Sequence, residues 1–455
     1  MIQTTFRKHY IGTKENIVLG KAALLKPKAL SKMYSMLLTA IIIVAAITGF
    51  AAYYFLSGPE TTNKTIKIGL CADLDTYNGK SSYQEAILAV EQINAEGGVL
   101  GRLFEVVAED DDSTQPDISV ATSALTRLIT VDKADYLITG GSFSSVYQEL
   151  SSQHKKIMFD LFNIADESTQ KVLDNYDKYK YYFRVGVANE TASIKGVTDV
   201  ITTIREYTGL NKVALVIHNF GSGATTFSRL VADLENSGIE VVYTAQIPLD
   251  TIEFSSYFAQ AEARGAEMMV PIVLLGQAGV PFIREYYDRQ SPMLLLGQIG
   301  GAVQSNFWEL TEGKCEYFSC AAYPPEVGFP LTNKTLAFAD AYLERWGGVS
   351  SGAVYDAVRY ILPDAIRRAG TFETNAVIAA LETVNVETCL ARHFVFTASH
   401  DVMIAGSGPN QPSEDYYIVC HFQWQNGKLV PIYPKEIMEE AGASYKVPDW
   451  PGPWD

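Results

Sequence analysis

Two short segments carry the residue types that could bind a small molecule. The first, residues 140–145, reads GGSFSS and follows a predicted strand that ends at Thr139. The second, residues 219–223, reads NFGSG and follows a predicted strand that ends at His218. Glycines let the backbone approach a ligand closely, and free N–H groups at a helix start attract polar or anionic groups. The alternative for each segment is an ordinary turn without a ligand. In the first segment, Ser142 would then only cap the next helix.

Signals of catalysis are weak along the rest of the chain. Residues 152–155 read SQHK and match the S-x-x-K pattern, but the sequence lacks convincing partner motifs of that enzyme class. The six histidines are scattered, and neither His393 nor His400 has the neighbours of a metal site. No nucleotide-binding glycine motif occurs, and the acidic run 110–112 is more typical of a solvated loop than of a calcium site. The sequence therefore predicts a binding protein that is not an enzyme, with no cofactor and no metal.

The two glycine-containing turns are positioned by a regular alternation of strands and helices. The predicted strands are 66–70, 103–108, 136–139, 182–187, 213–218, 239–244, 268–273 and 293–296. The predicted helices between them are 83–95, 116–131, 224–236, 254–264 and 280–289. Strands separated by helices of this length indicate βαβ units and parallel sheets. We therefore predict an α/β fold in two successive halves, 66–187 and 188–320.

A third stretch follows these halves. Its predicted helices are 336–346, 353–369 and 375–383, and its strand-like segments are 393–397 and 416–424. The tail 447–455 is rich in proline and tryptophan. It is either a docked strap or a disordered end, and the sequence leaves both open.

The N-terminal part differs in charge and hydropathy from the rest. Residues 1–32 carry a net charge of +6, so the remainder of the −16 chain carries −22, which disfavours nucleic acid as a partner. The uncharged apolar run 36–57 is long enough for about 20 residues at ~1.5 Å rise to cross a ~30 Å hydrocarbon core. A basic segment before such a run is typical of the cytoplasmic side. We predict an uncleaved signal anchor, with a cleaved signal peptide as the alternative, and the domain after residue 58 outside the cytoplasm.

Only some of the five cysteines are expected to form the disulfides that are typical of extracytoplasmic proteins. Cys315 and Cys320 lie close enough in sequence to close a small disulfide loop, and thiols outside the cytoplasm tend to be paired. Cys71, in the first predicted strand, is expected to be a buried free thiol. Because five is odd, at least one cysteine is unpaired or bridges to another chain.

Several stretches together resemble the substrate-binding proteins of branched-chain amino acid (Leu/Ile/Val-type) ABC transporters, which have the type I periplasmic-binding-protein fold. The most specific stretches are IKIGL at 66–70 and AILAVEQINAEGGVLGRLFEVVAEDD at 86–111. Further matching pieces are YLITGGSFSS, YYFRVG, KVALVIHNFGSG, AVYDAVRYILPDAIRRAG and FQWQNGKLV, so the likeness covers about residues 66–433. The resemblance implies two α/β lobes, each a mostly parallel sheet flanked by helices, joined by three crossover strands and closing on a ligand by a hinge.

The resemblance also assigns roles to residues of the first half. The turn that contains Ser142, Phe143 and Ser144 would receive the carboxylate of the ligand. Tyr77 or Asn78, placed in the loop after the first strand, would lie over the ligand.

Five more residues follow from the same resemblance. Asn163 and Ile164 occupy the next ligand-facing turn, and Phe220 stands where the family usually has a tyrosine. Gln277 stands where amino-acid binders usually have an acidic residue that neutralises the ligand's ammonium. A neutral glutamine does not replace that charge, so an amide, a carboxylic acid or an aromatic metabolite fits equally well. Asp160 could still supply a carboxylate, which keeps amino acids open.

The resulting prediction is an extracytoplasmic solute-binding protein that delivers a small polar or amphipathic molecule to the permease of an ABC importer. The alternative is a ligand-sensing receptor domain that acts through a separate signalling partner. The predicted segments are a cytoplasmic head at 1–35, the anchor at 36–57, a linker at 58–65, lobe 1 at 66–187 plus 321–410, lobe 2 at 188–320 plus 411–433, and a tail at 434–455. We expect the protein to be held at the cell membrane by its single N-terminal helix.

Overall fold

A computed structural model describes residues 65–112, 117–140, 143–186, 189–218, 223–272, 278–304, 306–404, 416–417 and 420–454. The stretch Lys64–Asp455 forms one compact unit. Within the described residues, no helix is both long and apolar enough to cross a lipid bilayer. The predicted basic head and membrane anchor, 1–35 and 36–57, lie outside the described residues.

The first half of the chain builds a five-stranded parallel sheet in the order β2-β1-β3-β4-β5. Its strands are β1 (Ile66–Ala72), β2 (Phe104–Asp110), β3 (Tyr136–Thr139), β4 (Met158–Asp160) and β5 (Tyr182–Arg184). The inner strand β1 is almost continuously apolar and buried, as expected where helices cover both faces of a parallel sheet. Ile68 pairs with Val106 on one side and Tyr136 on the other, which fixes the register.

The second half builds a seven-stranded mixed sheet in the order β12-β11-β10-β9-β8-β6-β7. Its strands are β6 (Lys212–His218), β7 (Glu240–Ile247), β8 (Met268–Ile272), β9 (Leu294–Gly297), β10 (Ser319–Ala322), β11 (Cys420–Gln425) and β12 (Lys428–Tyr433). Strands β6 to β10 run parallel, whereas β11 and β12 form an antiparallel hairpin added at the edge. The hairpin comes from the C-terminal end of the chain, so the chain returns to this sheet after leaving it.

Helices fill the connections between the strands. They are α1 (Tyr77–Ala95), α2 (Ile118–Thr130), α3 (Ser144–His154), α4 (Asp166–Asp174), α5 (Tyr176–Tyr179), α6 (Glu190–Thr208), α7 (Gly223–Asn236), α8 (Ser255–Ala263), α9 (Gly279–Asp288), α10 (Phe307–Leu310), α11 (Thr335–Trp346), α12 (Ala353–Asp356), α13 (Leu362–Ala369), α14 (Thr374–Leu381) and α15 (Lys435–Glu440). A π-helical turn, Ala357–Ile361, joins α12 to α13, and a 3₁₀ turn, Pro324–Val327, follows β10.

Separate apolar cores lie under the two sheets. Residues of β1, β3, β4 and β5 pack in one core with residues of the segment 338–404 and with Tyr417. A second core covers the other face of this sheet and contains Phe143 and Tyr147. The seven-stranded sheet has its own core on each face. The two sheets are therefore the centres of two lobes, and the chain passes between them more than once.

Helix α1 begins six residues earlier than the sequence pattern predicts. The predicted start was residue 83, but the Thr76 side chain accepts a hydrogen bond from the Gly79 N–H and caps the helix there. A Cβ at position 79 would lie 1.8 Å from the Asp73 carbonyl oxygen, so the chain can enter this early turn only with glycine. Tyr77 is thus in the first turn of a helix, and its predicted placement in a loop is wrong.

Two other predictions of local structure are wrong. The segment 393–397 is not a strand, because its pairing consists of isolated bridges at Phe394 and Phe396. Cys315 and Cys320 do not form a disulfide: both are free thiols buried in the core of the second lobe. All five cysteines of the chain are free and buried, which confirms the prediction for Cys71.

The C-terminal tail is a docked strap. The Gln423 side chain on β11 donates to the Lys446 carbonyl at 2.8 Å and accepts from the Lys446 N–H at 2.9 Å. Further along, the Trp450 indole N–H donates to the Ser291 carbonyl at 2.9 Å. The Trp450 ring is buried against aromatic side chains of the second lobe, so the strap covers part of that lobe's core.

Candidate functional site

Polar side chains end three neighbouring strands of the first sheet. Thr139 of β3 pairs with Asp160 of β4, and Asp160 pairs with Arg184 of β5. Because these strands are parallel, their carboxyl ends lie along one edge of the sheet, where ligands bind in open α/β folds. All three side chains are buried, so they form the floor beneath the turns that follow the strands.

Asp160 connects the first predicted ligand turn to the sheet. The Ser144 hydroxyl donates to Asp160 Oδ1 at 3.2 Å, and the Tyr182 hydroxyl donates to Oδ2 at 3.0 Å. Burial raises the pKa of the Asp160 carboxyl, while the two hydroxyl donors and the nearby Arg184 charge act in the opposite direction. Asp160 is fully enclosed. It therefore holds the start of helix α3 in place.

The turn after β4 is held by side chains of the same network. The Asn163 amide donates to the Ser168 hydroxyl at 2.7 Å and to Tyr182 at 3.2 Å, and its oxygen accepts from the Ala165 N–H at 3.0 Å. Each of these bonds is internal to the first lobe. Ile164, by contrast, is 38 % exposed, so its side chain is accessible to a ligand.

A buried ion pair lies directly beneath this turn. The Arg184 guanidinium binds both Asp401 carboxylate oxygens, at 2.7 and 2.9 Å, and donates to the Asn163 and Ala165 carbonyls at 2.6 and 3.0 Å. The Asn189 amide donates to Asp401 at 2.8 Å from the far side. Such a bidentate pair fixes planar geometry, so Arg184 orders the 163–165 turn from below.

Tyr77 and Asn78 lie at the start of helix α1 and are both exposed. The Tyr77 hydroxyl donates to the Val349 carbonyl at 2.5 Å, and the Gln304 side chain, from the turn after β9, also interacts with it. Burial of the hydroxyl raises the pKa of Tyr77 to about 12. The hydrogen bond with Gln304 lowers this pKa, but by less than burial raises it. Gln304 belongs to the second lobe, so Tyr77 lies where the two lobes face each other.

Phe143 points into the first lobe. It is buried and packs edge-on against Tyr147, with ring centroids 6.4 Å apart. The Tyr147 hydroxyl in turn donates to Asp111 at 2.6 Å, so the buried Asp111 is not part of a solvated acidic loop. Three predicted ligand residues, Ser142, Phe220 and Gln277, lie outside the described residues.

The three segments that connect the lobes meet at one carbonyl group. The Gly186 oxygen, after β5, accepts a hydrogen bond from Tyr323, after β10, at 3.0 Å and another from Tyr417, before β11, at 2.5 Å. A Cβ at position 186 would lie 2.4 Å from the Leu161 carbonyl oxygen, so this close approach requires glycine. The structure thus joins the crossing segments at a single point, which we call the hinge node: Gly186, Tyr323 and Tyr417.

Sequence reasoning missed Arg184, Asp401 and the hinge node. The arginine stands in YYFRVG, one of the stretches that carry the family resemblance, but its partner is 217 residues away. Neither tyrosine of the hinge node lies in a recognisable motif. A wide cavity of ≈ 740 Å³ lies elsewhere, with Thr332, Arg392 and His393 in its wall, and it includes none of the predicted ligand residues.

Comparison with known proteins identifies the fold and the family. The sequence profile of the Periplasmic binding protein family matches residues 65–412, which is most of the chain. The chain belongs to this family. A curated relative, the Leu/Ile/Val-binding protein homolog 7 of Brucella abortus (strain 2308), is 25% identical over 374 residues, covering 78% of this chain and 87% of the relative.

Solved structures show the same two-lobed fold. A Silicibacter pomeroyi protein described as a branched-chain amino acid ABC transporter has a TM-score of 0.73 and 21% identity, covering 85% of this chain and 100% of that one. The substrate-binding protein LivJ of Streptococcus pneumoniae, solved with isoleucine, has a TM-score of 0.62 and 18% identity, covering 82% of this chain and 100% of that one. The predicted family resemblance and the two-lobed α/β fold are confirmed. At the level of the family, these relatives are binding proteins of transporters and not enzymes.

Proposed function

We propose that this chain is the extracytoplasmic solute-binding protein of an ABC importer. It captures a small polar or amphipathic molecule between its lobes and delivers it to a membrane permease. The observation that carries the proposal is the hinge node, where all three connecting segments meet at the Gly186 carbonyl. Because the lobes are connected through such a small region, they can rotate about it. Hinge closure around a ligand requires this rotation.

The ligand surface would be the exposed part of the site. In the first lobe it comprises Ile164, whose turn the buried Arg184 holds, and Tyr77, whose hydroxyl donates to the Val349 carbonyl. The N-terminus of α3, which the Asp160–Ser144 bond holds in place, would direct its backbone N–H groups toward a ligand carboxylate. The second lobe would contribute Gln304 and, as the family resemblance implies, Phe220 and Gln277.

The closed state would be supported by contacts between the lobes near the hinge. Arg229 on α7, beside the second sheet, pairs with Asp166 on α4, beside the first, at 3.3 Å. Arg229 also binds Glu190 at the start of α6. These pairs are partly exposed, so each is worth at most about 1 kcal/mol and can break without a large penalty.

Lobe boundaries and location are part of the same proposal. Lobe 1 would comprise 66–187 and 321–410, and lobe 2 would comprise 188–320 and 411–433. The basic head and the apolar run 36–57 would anchor the protein in the cell membrane with both lobes outside, within reach of a permease.

A thermal-shift screen of the full chain tests the proposal. A ligand that binds only the folded state raises the melting temperature by an amount that grows with its concentration over Kd. The screen would use amino acids, amides, short carboxylates and aromatic acids. We expect at least one compound to stabilise the wild type, and X-ray scattering to show a smaller radius of gyration with that compound.

Two tyrosines of α1 provide a matched pair of variants. Tyr77→Ala removes a side chain between the lobes, and we expect it to reduce the shift caused by that compound. Tyr83→Ala removes an exposed tyrosine from the same helix, and we expect an unchanged shift. A chain that no compound stabilises, or that shows equal effects of both variants, would contradict the proposed function.

A further inference from the structure

A smaller cavity lies at the edge of the first sheet that is opposite to the candidate ligand site. Its volume is ≈ 460 Å³, which is within the range of small-molecule sites. Its wall includes Ile66 at the start of β1, Tyr136 at the start of β3 and Ile157 just before β4. Because these strands are parallel, their starts lie at one edge of the sheet and their carboxyl ends at the other. We call this cavity the basal pocket.

The charged side chains of the basal pocket are mostly cations. Arg102, Lys155 and Lys156 lie in its wall together with one carboxylate, Asp135. The wall therefore has a net charge of +2 when His154 is neutral. The chain after residue 32, by contrast, carries −22. A positive pocket on so acidic a protein creates a local field that attracts an anion.

The end of helix α3 does not account for this cluster. Lys155 and Lys156 follow the last residue of α3, and positive charges at a helix C-terminus are favourable in themselves. Arg102, however, comes from the turn before β2, and its guanidinium lies over the Phe372 ring, 4.4 Å from the centroid. The Lys156 Nζ is held by a 2.6 Å hydrogen bond to the Ala134 carbonyl. Elements that are distant in sequence thus bring their cations to one cavity.

Lys155 occupies a backbone position that favours glycine. It has left-handed φ and ψ angles of 53° and 43°, and its N–H donates to the Ser152 carbonyl at 3.2 Å. Glycine adopts this conformation at a helix end with less strain than lysine does. The Lys155 side chain is exposed. Its charge therefore explains a lysine at this position better than the backbone geometry does.

The sequence before β1 limits how far the basal pocket can lie from a membrane. Eight residues, 58–65, connect the apolar run 36–57 to Ile66. An extended chain of this length spans about 30 Å at most. In the proposed anchored state, the start of β1 would therefore lie near the lipid headgroups. Ile66 is itself part of the wall of the basal pocket.

We propose that the basal pocket binds the phosphate of an anionic lipid headgroup in the membrane that anchors the chain. This inference rests on the membrane anchoring in the proposed function and adds a second contact with the lipid. Lys155 and Lys156 would bind the phosphate as point charges, and Arg102 would bind it through its planar guanidinium. Binding at this edge would fix the orientation of the first lobe relative to the membrane.

Acetylation of exposed lysines in the full chain tests the proposal. The chain is combined with vesicles of phosphatidylcholine, or of two parts phosphatidylcholine and one part phosphatidylglycerol, and treated with a membrane-impermeant acetylating reagent. Mass spectrometry gives the acetylation rates of Lys155 and of Lys428, an exposed lysine of the second lobe that serves as the internal control. We expect phosphatidylglycerol to slow the acetylation of Lys155 and not that of Lys428. High salt should remove this protection, because it screens exposed charges.

Two variants show whether the basal pocket is responsible. Arg102→Met removes a positive charge from the wall, while the new side chain can still cover the Phe372 ring. Each cation at an anionic lipid surface changes the affinity about fivefold, so we expect the protection of Lys155 to fall about fivefold. Lys428→Met removes the same charge from the second lobe and should leave the protection unchanged. The melting temperature of each variant reports whether it folds.

Three results would overturn the inference. The first is equal acetylation of Lys155 with both vesicle compositions, and the second is undiminished protection in a folded Arg102→Met variant. The third is protection by millimolar inorganic phosphate with phosphatidylcholine vesicles and no further protection by phosphatidylglycerol, which would mean that the pocket binds a free anion.

Flotation with phosphatidylcholine vesicles tests the membrane anchor separately. A chain that does not float with them contradicts the proposed anchoring. Protection of Lys155 by phosphatidylglycerol would support the basal pocket in either case. Capture of a solute between the lobes is decided independently by the thermal-shift screen, because the cleft and the basal pocket lie at opposite edges of the first sheet.

Discussion

The Tyr417 hydroxyl donates to the Gly186 carbonyl at 2.5 Å, although 231 residues separate the two in sequence. Tyr323 donates to the same oxygen, and its ring meets the Tyr417 ring edge-on with centroids 6.4 Å apart. Each tyrosine belongs to a different crossing segment. The Tyr417–Gly186 bond therefore fixes the segment before β11 against the segment after β5, and these two strands belong to different sheets.

Tyr417→Phe is expected to loosen this hinge. The ring is fully buried and would stay in place, so the main loss is one hydrogen bond, about 1 kcal/mol in the free energy of unfolding. A looser hinge populates more open conformations, so the radius of gyration of the ligand-free protein should increase. Urea unfolding and X-ray scattering measure the two effects. Tyr83→Phe is the control, and equal behaviour of both variants would show that the Tyr417 bond does not restrain the lobes.

Asp401→Ala is expected to destabilise the chain far more than the loss of a surface pair. It leaves Arg184 buried and charged without its partner, which typically costs about 3–5 kcal/mol. Glu91→Ala breaks the exposed pair with Arg345, and we expect a change within about 1 kcal/mol. Chemical unfolding of both variants measures the difference. If Asp401→Ala and Glu91→Ala lower the free energy of unfolding by similar amounts, the Arg184–Asp401 pair does not order the 163–165 turn.

His421 is expected to make the fold sensitive to acid. Burial lowers the pKa of this histidine from 6.5 to about 4, and its Nδ1 has no partner among the described residues. Below pH 6.5 the unfolded chain binds a proton that the folded chain does not, so stability falls as pH falls, by up to about 3 kcal/mol at pH 4. Melting curves of His421→Leu should show a weaker pH dependence than the wild type over this range. His154→Gln, at an exposed position, should leave the dependence unchanged.

Trp450→Ala is expected to detach the strap. The side chain is 5 % exposed and fills an aromatic pocket formed by Tyr286, Tyr287 and Tyr317, so its removal should cost about 3–5 kcal/mol. Val447→Ala, in an exposed part of the same strap, should cost little. Denaturant unfolding of the two variants measures both losses in the free energy of unfolding. An unchanged stability of Trp450→Ala would show that the strap does not contribute to the second lobe.

The parallel sheets could be predicted because their strands are nearly continuous apolar runs separated by helical periodicity. Both halves follow that pattern, and the family resemblance adds the order of the lobes. The short strand β4 (Met158–Asp160) escaped prediction, since three residues carry no periodicity. The helix start at Tyr77 escaped as well, because Thr76 and Gly79 determine it through a cap and a close approach that no local pattern reveals.

The candidate site could be predicted only in part, for a related reason. The family resemblance places residues such as Ile164 in a ligand-facing turn. Asp401 and Tyr417 act through contacts with residues far away in sequence, so their types and spacing carry no signal. Asp160 ends strand β4, where a ligand residue would lie, and the structure encloses its side chain completely.

The five buried thiols make the chain a convenient subject for site-specific labelling. Burial raises the pKa of Cys315 to about 11 and those of Cys71, Cys320, Cys389 and Cys420 further, so none forms a reactive thiolate at neutral pH while the chain is folded. Two cysteines introduced at exposed positions, one in each lobe, would be the reactive pair for a fluorescent donor and acceptor. The opening and closing of a single molecule could then be followed with all its native cysteines in place.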